Sequence, residues 1–363
     1  MKLHIFNPEH DLALASGLGN FTAPHAGRKL RADLGYLPAL WAGEDDYVLV
    51  ENVTQAQRAY GRLRARVGGM PRRFVDKSAL PHIAIDRVEP WGWDLALRAA
   101  LVRYGVSPDA CADEAVIAAV RECSHRRYTA EVLHYLISFD YLPSFLDCPV
   151  EATSVEAVES YVARRRRLVI KAPWSSSGRG VRFIDGELSD FHRGWLRNVI
   201  ALQGCVMVEP YYPKVKDFGM EFEALPDGQI HYLGLSLFET HNGAYTGNVI
   251  ASEEDKREMI CRYVSVDLLD DVRAKVTDAL SCVIGRRYTG PLGVDMMILS
   301  KPCAEGFLIH PCVEINLRRT MGHVAIEMAS AALSVSDISS RFALPRVMQI
   351  TLTDKYRIHF RRL

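Results

Sequence analysis

No run of 18 apolar residues occurs in the 363-residue chain, which leaves no segment able to cross a membrane as a helix. The stretch from Met1 to Asn7 has no charged region leading into an apolar one, so no export signal is read there and a cytoplasmic location is expected. Net charge is missing too: 44 Lys plus Arg balance 44 Asp plus Glu, so no overall field favours nucleic acid or an anionic lipid surface. The eight cysteines never form C-x-x-C and are irregularly spaced, which argues for reduced thiols rather than a disulfide framework or a zinc knuckle. Neither H-E-x-x-H nor the Gly-Lys dipeptide of a Walker loop occurs, and Gly17-Leu18-Gly19 lacks the third glycine of a dinucleotide fingerprint. Metalloprotease, P-loop and nicotinamide chemistry therefore find no support. With 48% apolar and 24% charged residues the chain is globular, and its length suits two or three domains.

What is present reads first as α/β. Lys2 to Phe6 and Tyr47 to Val50 have strand patterns, separated by amphipathic stretches at Ala26 to Leu34, Thr54 to Val67 and Asp94 to Tyr104. A small wound sheet is expected over residues 1–122, with helices near Ala112 to Glu122 and Tyr128 to Ile137 marking a boundary. From Cys148 the order is strand, helix, strand, the helix opened by Thr153 with Glu156 as a capping box. Further strands are expected at Cys205 to Glu209, Gly219 to Leu225, Ile230 to Leu237, Leu292 to Leu299 and Phe307 to Ile315. Helices are expected at Val266 to Ile284 and Val324 to Leu333, and a hairpin at Met348 to Phe360 around Asp354-Lys355.

Two constellations carry chemistry. The first is the strand Leu168 to Ala172 running through Pro173-Trp174-Ser175-Ser176-Ser177-Gly178-Arg179-Gly180 into Val181. Small residues let backbone N–H groups approach an anion, the hydroxyls add donors, and Lys171 places a point charge at the strand end. Between Tyr161 and Arg182 there are seven basic residues and no acidic one. The second is Gly293-Val294-Asp295 followed by Glu314-Ile315-Asn316-Leu317-Arg318-Arg319. Residues i and i+2 of a strand share a face, so Glu314 and Asn316 project together and Asp295 faces them from a neighbouring strand. Two carboxylates and an amide oxygen suit Mg2+ or Mn2+, and the adjoining guanidinium groups suit a transferring phosphoryl group or a carboxylate. A third group, Glu9-His10-Asp11 at the end of the first strand, is placed where α/β sheets meet ligands and is a candidate for acceptor-substrate binding.

The ordered set Lys171, the Ser/Gly loop, Val206-Met207-Val208-Glu209-Pro210, Gly-Val-Asp295 and Glu314-Ile-Asn316 resembles the ATP-grasp superfamily over roughly residues 124–335. The resemblance implies a pre-ATP-grasp-like α/β domain (1–122) followed by a two-lobed ATP-grasp fold, the first lobe at 123–209 and the second at 210–363. It implies that ATP binds between the lobes. Lys171, Ser175, Ser176, Ser177, Gly178 and Gly180 then match the phosphate contacts, Glu209 the adenine hinge, and Asp217 the ribose acid. Asp295, Glu314 and Asn316 match the magnesium ligands, while Arg318, with Arg319 beside it, resembles the anion clamp. The family's further lysine at the start of the first lobe is replaced by Ser124-His125-Arg126-Arg127, so Arg126 or Arg127 stands in its place. The activity implied is an ATP- and Mg2+-dependent ligase joining a small carboxylate to an amine or thiol through an acyl phosphate. A small-molecule phosphotransferase or a non-catalytic nucleotide-binding regulator would share the same nucleotide site. Partners are expected to be small molecules rather than nucleic acid or membrane, and a homo-oligomer is compatible with all of this.

Overall fold

The computed structural model describes residues 1–139, 146–175, 180–241, 244–301, 305–336, 347–352 and 357–362. Its amino-terminal sheet is wholly parallel, with strands in the order Arg73–Val75, Tyr47–Leu49, Lys2–Ile5, Arg87–Pro90. These strands are short and apolar because helices and turns cover them: Leu3, Ile5, Val48 and Val88 are all buried. Helices His10–Ser16, His25–Leu34, Val53–Val67 and Leu95–Arg103 connect and flank them. Asn52 and Asp94 fix two of the starts, accepting from Gln55 N at 2.9 Å and Leu97 N at 2.8 Å and so satisfying donors that a helix leaves unpaired. The first helix stops at Gly17, whose φ of 64° is the left-handed cap that glycine takes without a Cβ penalty.

Helices Glu114–Cys123 and Arg127–Ser138 lead into an antiparallel sheet ordered Val150–Ala152, Val206–Pro210, Arg167–Lys171, Val181–Asp185. Helices Val155–Arg164 and Asp190–Gln203 close its apolar face, where Val158 and Leu196 pack with Ile170, Val206 and Val208. The cap of the first of these is Ser154 rather than Thr153. Its hydroxyl accepts from Ala157 N at 3.1 Å, and its φ of −144° and ψ of 160° give the extended backbone a cap requires.

A second antiparallel sheet runs Ile230–Ser236, Lys214–Ala224, Gly290–Ser300, Phe307–Asn316. One face is apolar: Phe218, Met220, Phe222, Val294 and Ile315 share a core with helices Arg127–Ser138 and Val266–Val283. A fourth sheet, Phe238–His241, Ala244–Ala251, Val347–Leu352, Ile358–Arg362, contains the expected carboxyl-terminal pair in antiparallel register, with Asp354 and Lys355 outside the described residues. Helix Met321–Ser336 joins the halves of the molecule, since Val324, Ala325 and Met328 share a core with Phe6, Leu37, Val48 and Trp91. The amino-terminal sheet thus shares a continuous apolar core with this helix and with Ile250, Met348 and Ile350 of the fourth sheet. Among the described residues no helix is long and apolar enough to cross a membrane.

Candidate functional site

Lys171 ends its strand with the side chain turned into the cleft between the second and third sheets. It is 6% exposed, and a buried ammonium needs partners. It has two: Glu209 Oε1 at 2.5 Å on the adjacent strand, and the Val313 carbonyl at 3.1 Å on a strand of the third sheet. Arg126 crosses the same gap. Its Nη1 donates to Ala172 O and to Ser175 Oγ (2.8 Å), at the start of the Ser/Gly loop, and its Nη2 donates to Glu314 Oε1 at 2.6 Å. Arg127, exposed at the start of its helix, does not enter. The loop itself returns through Gly180, where an added Cβ would sit 2.3 Å from the Ser175 side chain, so only glycine lets the two ends meet. Ser176, Ser177 and Gly178 lie outside the described residues.

Opposite stands the polar face of the third sheet. Asp295 pairs in register with Glu314 on one side and Gly219 on the other, and Gly293 pairs with Asn316 and Glu221. Strand alternation therefore gathers Glu221, Asp295, Glu314 and Asn316 on one face while their neighbours enter the core. Burial, then the charges of Glu314 and Glu221, pushes the Asp295 carboxyl up to about 8, with a hydrogen bond from Asn316 acting the other way. Carboxylates crowded until one keeps its proton are a donor set that a divalent cation would relieve, and the oxygen chemistry fits Mg2+.

Arg318 lies against this face, but its fork is taken. Nε and Nη2 hold Asp11 at 2.9 and 2.8 Å, and Nη2 also reaches Asn316 Oδ1 at 3.0 Å. Burial would raise the Asp11 carboxyl; the Arg318 guanidinium outweighs it and holds Asp11 below the usual carboxylate range. Arg319 is not brought to the site, since its guanidinium stacks over the Trp41 ring, 4.5 Å from the centroid. Asp217 sits further along the same sheet, bonded to Lys214 Nζ and Thr240 Oγ1, each at 2.6 Å. Of the amino-terminal trio only Asp11 meets the site, through Arg318: Glu9 pairs with Arg31, and His10 is buried beneath Gly92, where a Cβ would lie 2.6 Å from the ring.

Three features escape a reading of the sequence. Glu221, 4% exposed, accepts from Thr320 Oγ1 at 2.7 Å, and its other oxygen has no hydrogen-bonding partner although His323 Nδ1 is 3.0 Å away. That ring nitrogen accepts from Thr320 N at 3.1 Å and so has no proton to offer Glu221. Its signal was only a glutamate at i+2 from Gly219 on an alternating strand. His310 shares the Glu314 strand and packs on Tyr212 at 5.4 Å, with Nδ1 unpartnered; burial and the nearby Lys171 charge push it down to about 3. Finally, His125, Cys205 and Glu151 converge to within 4.8 Å behind Arg126. Since His125 Nδ1 accepts from Arg127 N at 3.0 Å, its proton lies on Nε2 facing Cys205 at 3.6 Å, a hydrogen-bonded arrangement.

No protein-family model matches the sequence, and no curated protein does. Solved structures do resemble the fold. One is N5-carboxyaminoimidazole synthetase from Staphylococcus aureus complexed with ADP, at a TM-score of 0.51 and 13% identity, covering 97% of this chain and 82% of that one. Another is a complex of biotin carboxylase from Campylobacter jejuni with β,γ-ATP, at a TM-score of 0.50 and 10% identity, covering 96% and 75%.

Proposed function

The chain has the ATP-grasp fold, and from that premise we propose that it is an ATP- and Mg2+-dependent ligase joining a small carboxylate to an amine. One observation carries the reading: Lys171 and Arg126, from the first lobe, meet the Glu314 strand of the second lobe at hydrogen-bond distance, so cations and acids line a single cleft. The lobes are residues 123–209 and 210–363, with the 1–122 domain completing the cleft through Asp11.

A carboxylate is a poor acyl donor because oxide would have to leave. In the proposed reaction its oxygen attacks the γ-phosphorus of ATP and ADP departs; the amine then attacks the acyl carbon and phosphate leaves. Lys171 binds phosphate oxygens, Arg126 holds Ala172 and Ser175 just beyond it, and Glu209 holds Lys171 and begins the segment against which adenine lies. Asp295, Glu314 and Asn316 would hold Mg2+, which when bound offsets charge on the β- and γ-phosphate oxygens. No protein nucleophile is required.

The test is phosphate release from ATP across a panel of small acids and amines, with heat stability followed alongside. Mg-ADP should raise the melting temperature by mass action. Lys171→Ala and Glu314→Ala should each lower turnover on the order of 100-fold. Phosphate recovered on a single acceptor would identify a phosphotransferase instead, and full turnover in both variants would overturn the site.

A further inference from the structure

Arg318 looks positioned to clamp a substrate anion, yet a count of its donors leaves it little capacity. A guanidinium has five N–H groups. Nε is used by Asp11 (2.9 Å to Oδ1, 3.1 Å to Oδ2), Nη2 by Asp11 Oδ2 (2.8 Å) and Asn316 Oδ1 (3.0 Å), and Nη1 by the Arg319 carbonyl (3.1 Å). One Nη1 hydrogen remains, too few for a bidentate grip on carboxylate or phosphate. Asp11 and Arg318 are each 17% exposed and come from opposite ends of the chain, so water competes weakly for the pair.

Asn316 is held by Arg318: its Oδ1 accepts from the guanidinium Nη2 at 3.0 Å, which sets which way round the amide stands. Besides Asp11, the charges bearing on Arg318 are those of Glu314 and Asp295. Were Asp11 neutral, the guanidinium would turn to these two acids and neutralise the groups a cation needs.

We propose that Asp11 is a positioning residue for the cation site: it holds Arg318 away from Asp295 and Glu314, and through Arg318 it orients Asn316. This rests on the cation-site reading above and extends it, because it makes the amino-terminal domain part of the metal centre rather than only the place where an acceptor binds.

Mn2+ binding to the purified full chain, followed by electron paramagnetic resonance with and without ADP, tests this independently of turnover. Asp11→Asn should weaken Mn2+ about 10- to 100-fold, the usual effect of removing a group that orients a ligand. In Asp11→Asn/Arg318→Gln, where the freed competitor is gone, affinity should recover several-fold over the single variant yet stay below the parent, because Asn316 then lacks the guanidinium that orients it. A single variant that binds like the parent, or a double variant as weak as the single, overturns the proposal. If the single variant does not fold, the double variant against the parent decides alone, a loss beyond about 100-fold counting against. A parent protein that binds neither Mn2+ nor Mg-ADP would instead refute the cation-site reading.

Discussion

Acidification should unfold this protein partly through one histidine. His310 is 4% exposed, its ring lies against Tyr212, and the Lys171 ammonium is nearby. Burial first, then that charge, lowers its pKa from 6.5 to about 3. The buried ring thus refuses a proton that the unfolded chain accepts below pH 6.5, so acid favours the unfolded chain. The contribution is whole above pH 6.5 and is lost as pH falls toward 3. At about 1.4 kcal/mol per pH unit, lowering the pH to 5, some 1.5 units below the unfolded pKa, costs about 2 kcal/mol through this ring alone. Urea denaturation of the parent and of His310→Gln, at pH 8 and pH 5, isolates the effect because every other titrating group is shared. The parent should lose about 2 kcal/mol more than the variant over that interval. Equal losses would show that the ring takes up its proton inside the fold, and the argument from burial would fail.

Other consequences of the structure are as direct. Arg126→Ala removes the partner of a partly buried carboxylate along with two loop contacts, and should cost about 3–5 kcal/mol in denaturant melts; a loss under about 1 kcal/mol would mean that Glu314 is well solvated without it. Gly322→Ala would set a Cβ 1.9 Å from Glu221 Oε1 and 2.4 Å from Ser236 Oγ, so it should destabilise by about 1–3 kcal/mol, with less effect in a Glu221→Ala background. Equal effects in both backgrounds would rule out Glu221 as the obstacle. Ser154→Ala should cost about 1 kcal/mol, and Thr153→Ala much less, by the same melts; the reverse order would return the cap to Thr153.

How far the fold can be read from residues alone depends on periodicity. The strand at 168–172, the long helix at 266–284 and the paired 292–299 and 307–315 strands carry unbroken patterns, and they are where the periodicity puts them. Short strands such as Arg73–Val75 and Phe238–His241 are too brief to show one, and their pairing depends on neighbours distant in sequence. The acidic face was legible because i, i+2 spacing is a local rule. Glu221 was not, because its meaning comes from Gly293 and Gly322, two glycines whose missing Cβ atoms make its room. The Asp11 contact was likewise hidden: nothing near residue 11 announces residue 318, and a free arginine reads in sequence just like a saturated one.

That contact spans 307 residues, and it bears on how the protein is made. At about 5–20 residues per second, a ribosome exposes Asp11 roughly 15–60 s before Arg318 exists. Throughout that interval the amino-terminal helix carries an aspartate without its intended mate, and the apolar surface around Phe6 and Leu37 awaits the helix that will cover it. Newly emerging chains should therefore depend on holding chaperones until the last fifth is synthesised, and carboxyl-terminal truncations should accumulate as protease-sensitive fragments rather than as a folded half.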